Sequence, residues 1–242
     1  MIRLEADLHA HTIASGHASS TVLEMATAAT ERGLDVLALT DHAPSMPGSC
    51  GPLWFANAPS WPRRICGVTV LRGVELDILD MQGSCALPVQ ILRRLDWIIA
   101  SLHENVVPSL VGADCTSVWL AVAEDPLVDM IGHPEQPAFP FDMEAVVPVW
   151  AERGKIVEIN ELHAFESGPE SRERAMRLAE LCMRHGARMS VGSDAHGAWH
   201  VGRSERALSM IEELGIPKEL IFNASSVDVL AHVRAKRPWI DL

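Results

Sequence analysis

The stretch DLHAHT, residues 7–12, decides which fold to expect. It follows an apolar run of strand length, Leu4–Leu8. Alternate residues of a strand point to the same side, so His9 and His11 can bind one metal ion together. The sequence therefore predicts a metal site at the end of the first strand.

Working outward from this stretch, potential metal ligands recur along the chain. They lie in the segments SGH, ALTDH, RGVELD, ASLHE, IGHPE and GSDAH, and every segment except SGH has an apolar run shortly before its ligand. The complete set is His9, His11, His17, His42, Glu75, His103, His133, Asp194 and His196. Imidazole and carboxylate ligands are typical of zinc, manganese or iron rather than magnesium. Seven of the eleven histidines follow this pattern, which predicts a multinuclear metal centre.

Apolar runs alternate with amphipathic helical patterns, which is typical of an α/β fold built from parallel βαβ units. The predicted strands are Leu4–Leu8, Val36–Thr40, Thr69–Leu76, Trp97–Leu102, Val128–Ile131, Lys155–Ile159 and Arg188–Gly192. The first predicted helix begins at the capping box of Thr21 and Glu24. Three further helices are predicted over Pro169–His185, Ser204–Leu214 and Ser225–Lys236. Such units either close into a barrel or form an open sheet, and in barrels the catalytic groups lie at the carboxyl ends of the strands.

Length and composition favour a single cytoplasmic domain over residues 1–242. The five scattered cysteines indicate a reducing compartment, and neither a signal peptide nor a membrane-spanning run is recognisable. The formal charge of −12 makes nucleic acid an improbable partner and favours a small phosphorylated substrate. The oligomeric state is not predicted. Residues 43–67, rich in Pro and Gly, form either a rim or lid or a packing segment on the barrel wall.

The motifs together resemble the PHP (polymerase and histidinol phosphatase) family, and within it the small stand-alone bacterial phosphatases. The resemblance runs from D-L-H-x-H-T at residue 7 to G-S-D-x-H ending at residue 196. It implies a distorted, TIM-like (β/α)7 barrel with three divalent ions at the carboxyl ends of the strands, zinc first and manganese or iron as alternatives. By motif, the first ion takes His9, His11, Glu75 and Asp194, the second takes Glu75, His103 and His133, and the third takes His17, His42 and His196.

The expected activity is phosphomonoester hydrolysis by a hydroxide bridging two ions, since metal binding lowers the pKa of water to about 7. Glu75 and Asp194 are predicted to hold this hydroxide. Asp7 and Asp41, which stand just before ligands, are predicted to orient the imidazoles. Arg63 and Arg203 are the predicted phosphate-binding residues, because guanidinium groups suit phosphate oxygens. The remaining histidines, His163, His185, His200 and His232, are not assigned to the site.

Four alternatives stay open. An amidohydrolase-type barrel is disfavoured, because none of the three lysines stands at a mid-barrel strand end where a carbamylated lysine would bridge two ions. A nuclease acting on nucleic-acid ends is disfavoured by the acidic charge. Histidinol phosphate phosphatase is the best-defined alternative within the family that the chain resembles. A non-catalytic metal-binding protein is disfavoured by the completeness of the ligand set.

Overall fold

The computed structural model describes residues 2–242, and eight strands of these residues form one sheet. In chain order they are β1 (Ala6–Asp7), β2 (Val36–Leu39), β3 (Arg64–Ile65), β4 (Val68–Asp77), β5 (Trp97–Ser101), β6 (Met130–Ile131), β7 (Ile156–Asn160) and β8 (Met189–Gly192). Seven strands pair in parallel in the order β1-β2-β4-β5-β6-β7-β8, and β3 forms an antiparallel hairpin with β4. Ala10 and Ala195 form a parallel bridge between the segments after β1 and β8. The result is the predicted distorted (β/α)7 barrel, nearly closed.

The helices of the described chain cover the outside of this barrel. They are α1 (Val22–Glu31), α2 (Pro52–Asn57), α3 (Val89–Leu92), α4 (Thr116–Glu124), α5 (Met143–Glu152), α6 (Glu161–Glu166), α7 (Pro169–His185), α8 (Glu205–Glu213) and α9 (Ser226–Lys236). The four predicted helices are confirmed, and the capping box of Thr21 and Glu24 is formed. No helix is predicted for the α4 and α5 segments. None of the helices in residues 2–242 combines the length and apolarity needed to cross a bilayer.

The strands are buried on both faces, as expected for a parallel sheet covered by helices. One apolar layer lies inside the barrel and includes Leu8, Leu71 and Ile99. A second layer lies between the sheet and the helices, where α7 contributes its predicted stripe of Ala175, Leu178, Ala179 and Cys182. These two layers fix the strand ends, and with them the side chains that follow each strand.

Residues 43–67 take both of the roles expected for them. The segment contains α2, whose Phe55 is fully buried in the outer apolar layer. Met46 and Pro47 from the same segment line a cavity at the carboxyl end of the barrel. The segment is therefore part rim and part packing element.

Candidate metal centre

All nine predicted ligands converge at the carboxyl end of the barrel. Glu75 lies within β4, and His17 lies on the loop before α1. The other seven predicted ligands follow the ends of β1, β2, β5, β6 and β8. Ring contacts link the histidines in one continuous cluster, with centroid separations from 4.3 Å to 6.0 Å. The structure therefore brings together residues that are up to 187 positions apart in the chain, from His9 to His196.

Glu75 is the centre of this cluster. Its side chain is fully buried, and five imidazoles surround its carboxylate. The nitrogen-to-oxygen distances are 2.7 Å for His42 Nδ1, 2.8 Å for His133 Nε2, 3.3 Å for His103 Nε2, 3.4 Å for His9 Nε2 and 3.6 Å for His11 Nε2. Oε1 faces three of these rings and Oε2 faces the other two. A carboxylate with donors on both sides has the geometry needed to bridge two ions.

Asp194 forms a second centre beside Glu75. Its Oδ1 lies 3.1 Å from His11 Nε2 and 3.7 Å from His9 Nε2, so both histidines of the first motif face it. The rim of the cluster is more exposed: His17 Nε2 and His196 Nε2 lie 3.0 Å apart. The site thus grades from a buried floor at Glu75 to an exposed rim at His17.

Buried donor atoms without a hydrogen-bond partner show that the residues fit metal ions. His9 Nε2, His11 Nε2, His42 Nδ1 and Glu75 Oε2 are all buried and make no hydrogen bond within the described residues. The 2.7 Å separation of His42 Nδ1 and Glu75 Oε2 is short enough for one, but the angles of the contact do not fit a hydrogen bond. Unpaired buried polar atoms are costly, by roughly 1–3 kcal/mol each, so four of them converging on one point need an explanation. Divalent cations would satisfy all four. The chemistry of the donor set, imidazole nitrogen with carboxylate oxygen, is that of zinc-type ions.

The donor atoms also group in threes within reach of a single ion. Four such groups have all their donor atoms within 4.8 Å of one another. They are His9, His11 and Glu75; His9, His133 and Asp194; His42, Glu75 and His103; and His11, His42 and His196. Because the groups share members, the geometry is that of a multinuclear site rather than of separate single-ion sites.

Two carboxylates missed in the sequence hold the imidazoles in place. Glu158, fully buried in β7, accepts a hydrogen bond from His9 Nδ1 over 2.8 Å, and Asp77 accepts one from His103 Nδ1 over 2.8 Å. In each case the ring nitrogen facing Glu75 is left free. Asp77 stands two residues after Glu75 on the same strand, so the alternation used for His9 and His11 could have identified it.

The predicted orienting residues Asp7 and Asp41 act less directly. Asp41 accepts from Ser15 Oγ over 2.7 Å, and Ser15 Oγ lies 3.1 Å from His11 Nδ1. Asp7 accepts hydrogen bonds from the backbone N–H groups of Ser193 and Gly202. Asp41 therefore supports an imidazole through a serine, whereas Asp7 fixes the loop that carries Asp194.

Two of the predicted ligands have a strained backbone. His133 has φ of 28° and Asp194 has φ of 50°, both in the left-handed region that residues other than glycine rarely adopt. Such conformations cost on the order of 1–3 kcal/mol each and concentrate at functional sites. The rest of the barrel therefore holds these two side chains in an unfavourable backbone conformation.

Electrostatics keep the central carboxylates ionised. Burial alone would raise the pKa of Glu75, but the surrounding imidazoles, His103 foremost, outweigh it and hold that pKa well below its ordinary value. The pKa of Asp194 is likewise lowered against burial, chiefly by His9. Burial lowers the pKa of His11 well below its ordinary value, helped by His42 and His196. Ionised carboxylates and the neutral His11 imidazole are forms that bind metal. Against the effect of burial, Glu158 foremost raises the pKa of His9 and Glu75 foremost raises that of His103, so metal binding would displace protons from these two imidazoles.

A cavity of about 600 Å³ opens above the cluster. Among its lining residues are Glu104, Asn105, Gln136 and His163 together with several predicted ligands. His163 packs on His133 with ring centroids 4.6 Å apart, and its Nε2 lies 3.5 Å from Asp194 Oδ2. His163 follows the end of β7, but the sequence alone does not assign it to the site, because histidines without a function are common in surface loops.

The structure does not bring the two predicted phosphate-binding arginines to this cavity. Arg63 Nη1 pairs with Asp96, which precedes β5, over 2.6 Å. Arg203 Nη1 pairs with Glu166 at the end of α6 over 2.9 Å. Guanidinium chemistry alone does not locate a side chain, so a phosphate-binding role for Arg63 and Arg203 stays a prediction that their absence from this cavity lining does not support. The other unassigned histidines, His185, His200 and His232, also lie outside the cavity lining.

Comparisons with known proteins agree with this geometry. A PHP domain model matches residues 7–161. The chain is 41% identical over 231 residues to a probable phosphatase of Caldicellulosiruptor saccharolyticus, covering 96% of both chains. It is 40% identical over 240 residues to a probable phosphatase of Caldanaerobacter subterraneus subsp. tengcongensis, covering 99% of this chain and 94% of that one.

Among solved structures, the fold is similar to histidinol phosphate phosphatase from Lactococcus lactis, crystallised with zinc, L-histidinol and phosphate. The TM-score is 0.60 at 18% identity, covering 88% of this chain and 94% of that one. A chain in the cryo-EM structure of archaeal ribonuclease P with mature tRNA has a TM-score of 0.57 at 10% identity, covering 97% of this chain and 91% of that one. At these identities the likeness establishes the fold.

Proposed function

Because the chain belongs to the PHP-domain family, we propose that its metal-dependent phosphatase activity acts on phosphomonoesters of small metabolites. The observation that carries the proposal is the group of unpartnered buried donor atoms around Glu75. Of the residues with these donors, His42 lines a cavity large enough for a small phosphorylated molecule, and the other three are buried next to it in the same cluster.

Three divalent ions would account for all nine predicted ligands. His9, His11, Glu75 and Asp194 would hold one ion, Glu75, His103 and His133 a second, and His17, His42 and His196 a third. The shared donor groups support a multinuclear arrangement, and the nitrogen-rich donor set favours zinc, with manganese or iron as alternatives.

When bound, such ions lower the pKa of water and polarise phosphoryl oxygens. The chain's own residues prepare the site for them. Glu158 fixes the tautomer of His9 so that Nε2 is free, and Asp77 does the same for His103. Asn160 donates to Asp194 Oδ2 over 3.2 Å and so orients that carboxylate. The donors are therefore in place before any substrate arrives.

The cavity walls suit a small phosphorylated substrate. Neither arginine nor lysine is found among the described residues that line the cavity, so imidazole groups and bound ions would balance the phosphate charge. His163, Asn105 and Gln136 offer neutral hydrogen-bonding groups at the rim. Burial lowers the pKa of His163 to about 3, with His133 adding to the effect, so its imidazole is neutral at physiological pH.

Glu75→Gln tests the proposal, with the exposed Glu31→Gln as its matched control. We expect the Glu75 variant to lose bound metal and phosphate release together, because this carboxylate would hold two of the three proposed ions. Metal content is measured by elemental analysis and activity by phosphate release, after loading with zinc, manganese or iron. Full activity in a metal-free Glu75→Gln protein would disprove the proposal.

A substrate panel separates the proposed activity from its alternatives. Small phosphomonoesters, histidinol phosphate among them, are compared with phosphodiesters and short oligonucleotides. We expect phosphate release from monoesters only. Cleavage confined to phosphodiesters or to the ends of oligonucleotides would instead identify a nuclease.

A further inference from the structure

A second cavity, of about 510 Å³, lies away from the histidine cluster. Its walls include Trp61 and Arg63 from the segment before β3, Arg94 from the turn before β5, and Trp239 from the residues after α9. None of the nine predicted ligands lines it. The cavity is therefore a separate feature of the outer surface of the barrel.

Positive charge is concentrated in this cavity. Arg63 Nη1 and Arg72 Nε both bind Asp96 Oδ2, over 2.6 Å and 2.8 Å. Asp96 is fully buried, so one carboxylate is shared by two guanidinium groups. Asp241 is the one carboxylate among the described lining residues, against the three arginines Arg63, Arg72 and Arg94. An excess of positive charge at one place is notable in a chain with a formal charge of −12.

Two of the arginines have hydrogen-bonding capacity to spare. Each of the three side-chain nitrogens of Arg72 has a partner, since its Nε and Nη2 bind Asp96 and its Nη1 donates to the carbonyl of Pro59. Arg63 uses only Nη1. The exposed Arg94 side chain has no hydrogen bond or ion pair within residues 2–242. Arg63 and Arg94 both line the cavity, so their unused N–H groups are available to a phosphate bound there.

Aromatic rings form the other walls. Trp239 is 60% exposed, yet its Nε1 donates to the carbonyl of Arg93 over 2.8 Å, so the ring is held in place while its surface stays open. Trp61 packs edge-on against Trp54, with ring centroids 5.1 Å apart. Fixed indole rings bind planar ligands by stacking at a low cost in conformational entropy.

We propose that this cavity binds a small phosphorylated compound that carries an aromatic ring, of the nucleoside monophosphate class. Arg63 and Arg94 would contact the phosphate, and Trp61 and Trp239 would contact the ring. The cavity volume lies in the range of small-molecule sites. This assignment does not depend on the substrate proposed for the histidine cluster.

Calorimetric titration with AMP tests the site, using full-length protein in the Glu75→Gln background so that the probe is not turned over. Saturable binding is expected. Arg94→Ala should weaken it about tenfold, because one charge-assisted contact is lost. Arg93→Ala, a neighbouring exposed arginine that does not line the cavity, should leave it unchanged.

Adenosine and inorganic phosphate serve as the partial probes. Both should bind more weakly than AMP, and Trp239→Leu should weaken AMP but not inorganic phosphate. Equal AMP affinity in Arg94→Ala and Arg93→Ala, or no saturable binding up to about 10 mM, would overturn the site. Phosphate binding as tightly as AMP would overturn the aromatic part. Since no arm measures phosphate release, failure here is distinct from failure of the proposed phosphatase reaction.

Discussion

At the scale of single residues, the most informative contact is the one between Glu158 and His9. A buried carboxylate that holds Nδ1 of an imidazole leaves Nε2 free and raises its basicity. Gly192, beside it in β8, makes this possible, because a Cβ atom at Gly192 would collide with the Glu158 carboxylate. The orientation of one predicted ligand thus depends on a carboxylate and a glycine from two neighbouring strands.

Glu158→Gln should therefore weaken metal binding by about 10–100-fold, the usual cost of losing such a partner. The variant keeps the size of the side chain but removes the negative charge that faces His9. Metal affinity is measured by competition with a chelator, and Glu31→Gln again serves as the control. Unchanged affinity would mean that Glu158 only fills space.

A substitution at His163 can show whether this side chain binds substrate or metal. If it contacts substrate from the cavity wall, His163→Asn should raise KM about fivefold while metal content stays complete, since one hydrogen bond is worth roughly 1 kcal/mol. His185→Asn, at the exposed end of α7, is the matched control. Loss of metal in the His163 variant would instead make this histidine a ligand.

At the scale of elements, Asp129 fastens α9 to the end of the barrel opposite the metal cluster. This fully buried carboxylate precedes β6. It binds Lys236, the last residue of α9, and Arg237, which follows it, and it accepts a hydrogen bond from the backbone N–H of Ile98. Burial alone would raise its pKa, but Arg237, followed by His232 and Lys236, lowers that pKa well below its ordinary value.

Asp129→Asn should lower the free energy of unfolding by about 3–5 kcal/mol, because it leaves the buried Arg237 unpaired. Urea unfolding measures this, and Glu124→Gln, which breaks a surface ion pair with Arg153, should cost no more than about 1 kcal/mol. A lowered pKa contributes stability above the unfolded value, about 3.9, and that contribution fades as the pH falls below it. The wild type should therefore lose the stability that Asp129 contributes at acid pH, whereas Asp129→Asn has no such contribution to lose.

Elements with strong local signals could be predicted from the sequence, and others could not. The α7 helix matches its prediction from Pro169 to His185, since Pro begins it and Gly186 ends it. The N-cap residue of α4 is Cys115, which makes no side-chain cap bond, and the local signal comes one residue earlier, where Asp114 accepts from the Thr116 N–H. The same limit applies at the site: strand-end histidines could be found by spacing, but the positions of Arg63 and Arg203 depend on tertiary contacts.

At the scale of the whole molecule, the metal cluster should contribute to stability as well as to chemistry. Unpartnered donors and the strained backbone at His133 and Asp194 lie at the meeting point of the strands. A chelator should lower the melting temperature by about 10 °C, which corresponds to ligand present at roughly a thousand times its Kd. Differential scanning fluorimetry measures the change, and Glu75→Gln should respond much less. Equal melting temperatures with and without chelator would contradict the prediction.

The spread of the ligands along the chain has a consequence for how each molecule matures. The cluster begins at His9 and is completed by Asp194 and His196, which reach it only when β8 takes its place beside the first strand. A chain still emerging from the ribosome holds the early histidines but lacks the carboxylate that faces two of them. We therefore expect the complete metal centre to form late in biosynthesis, and a fragment clipped before residue 194 to lack the donors of Asp194 and His196.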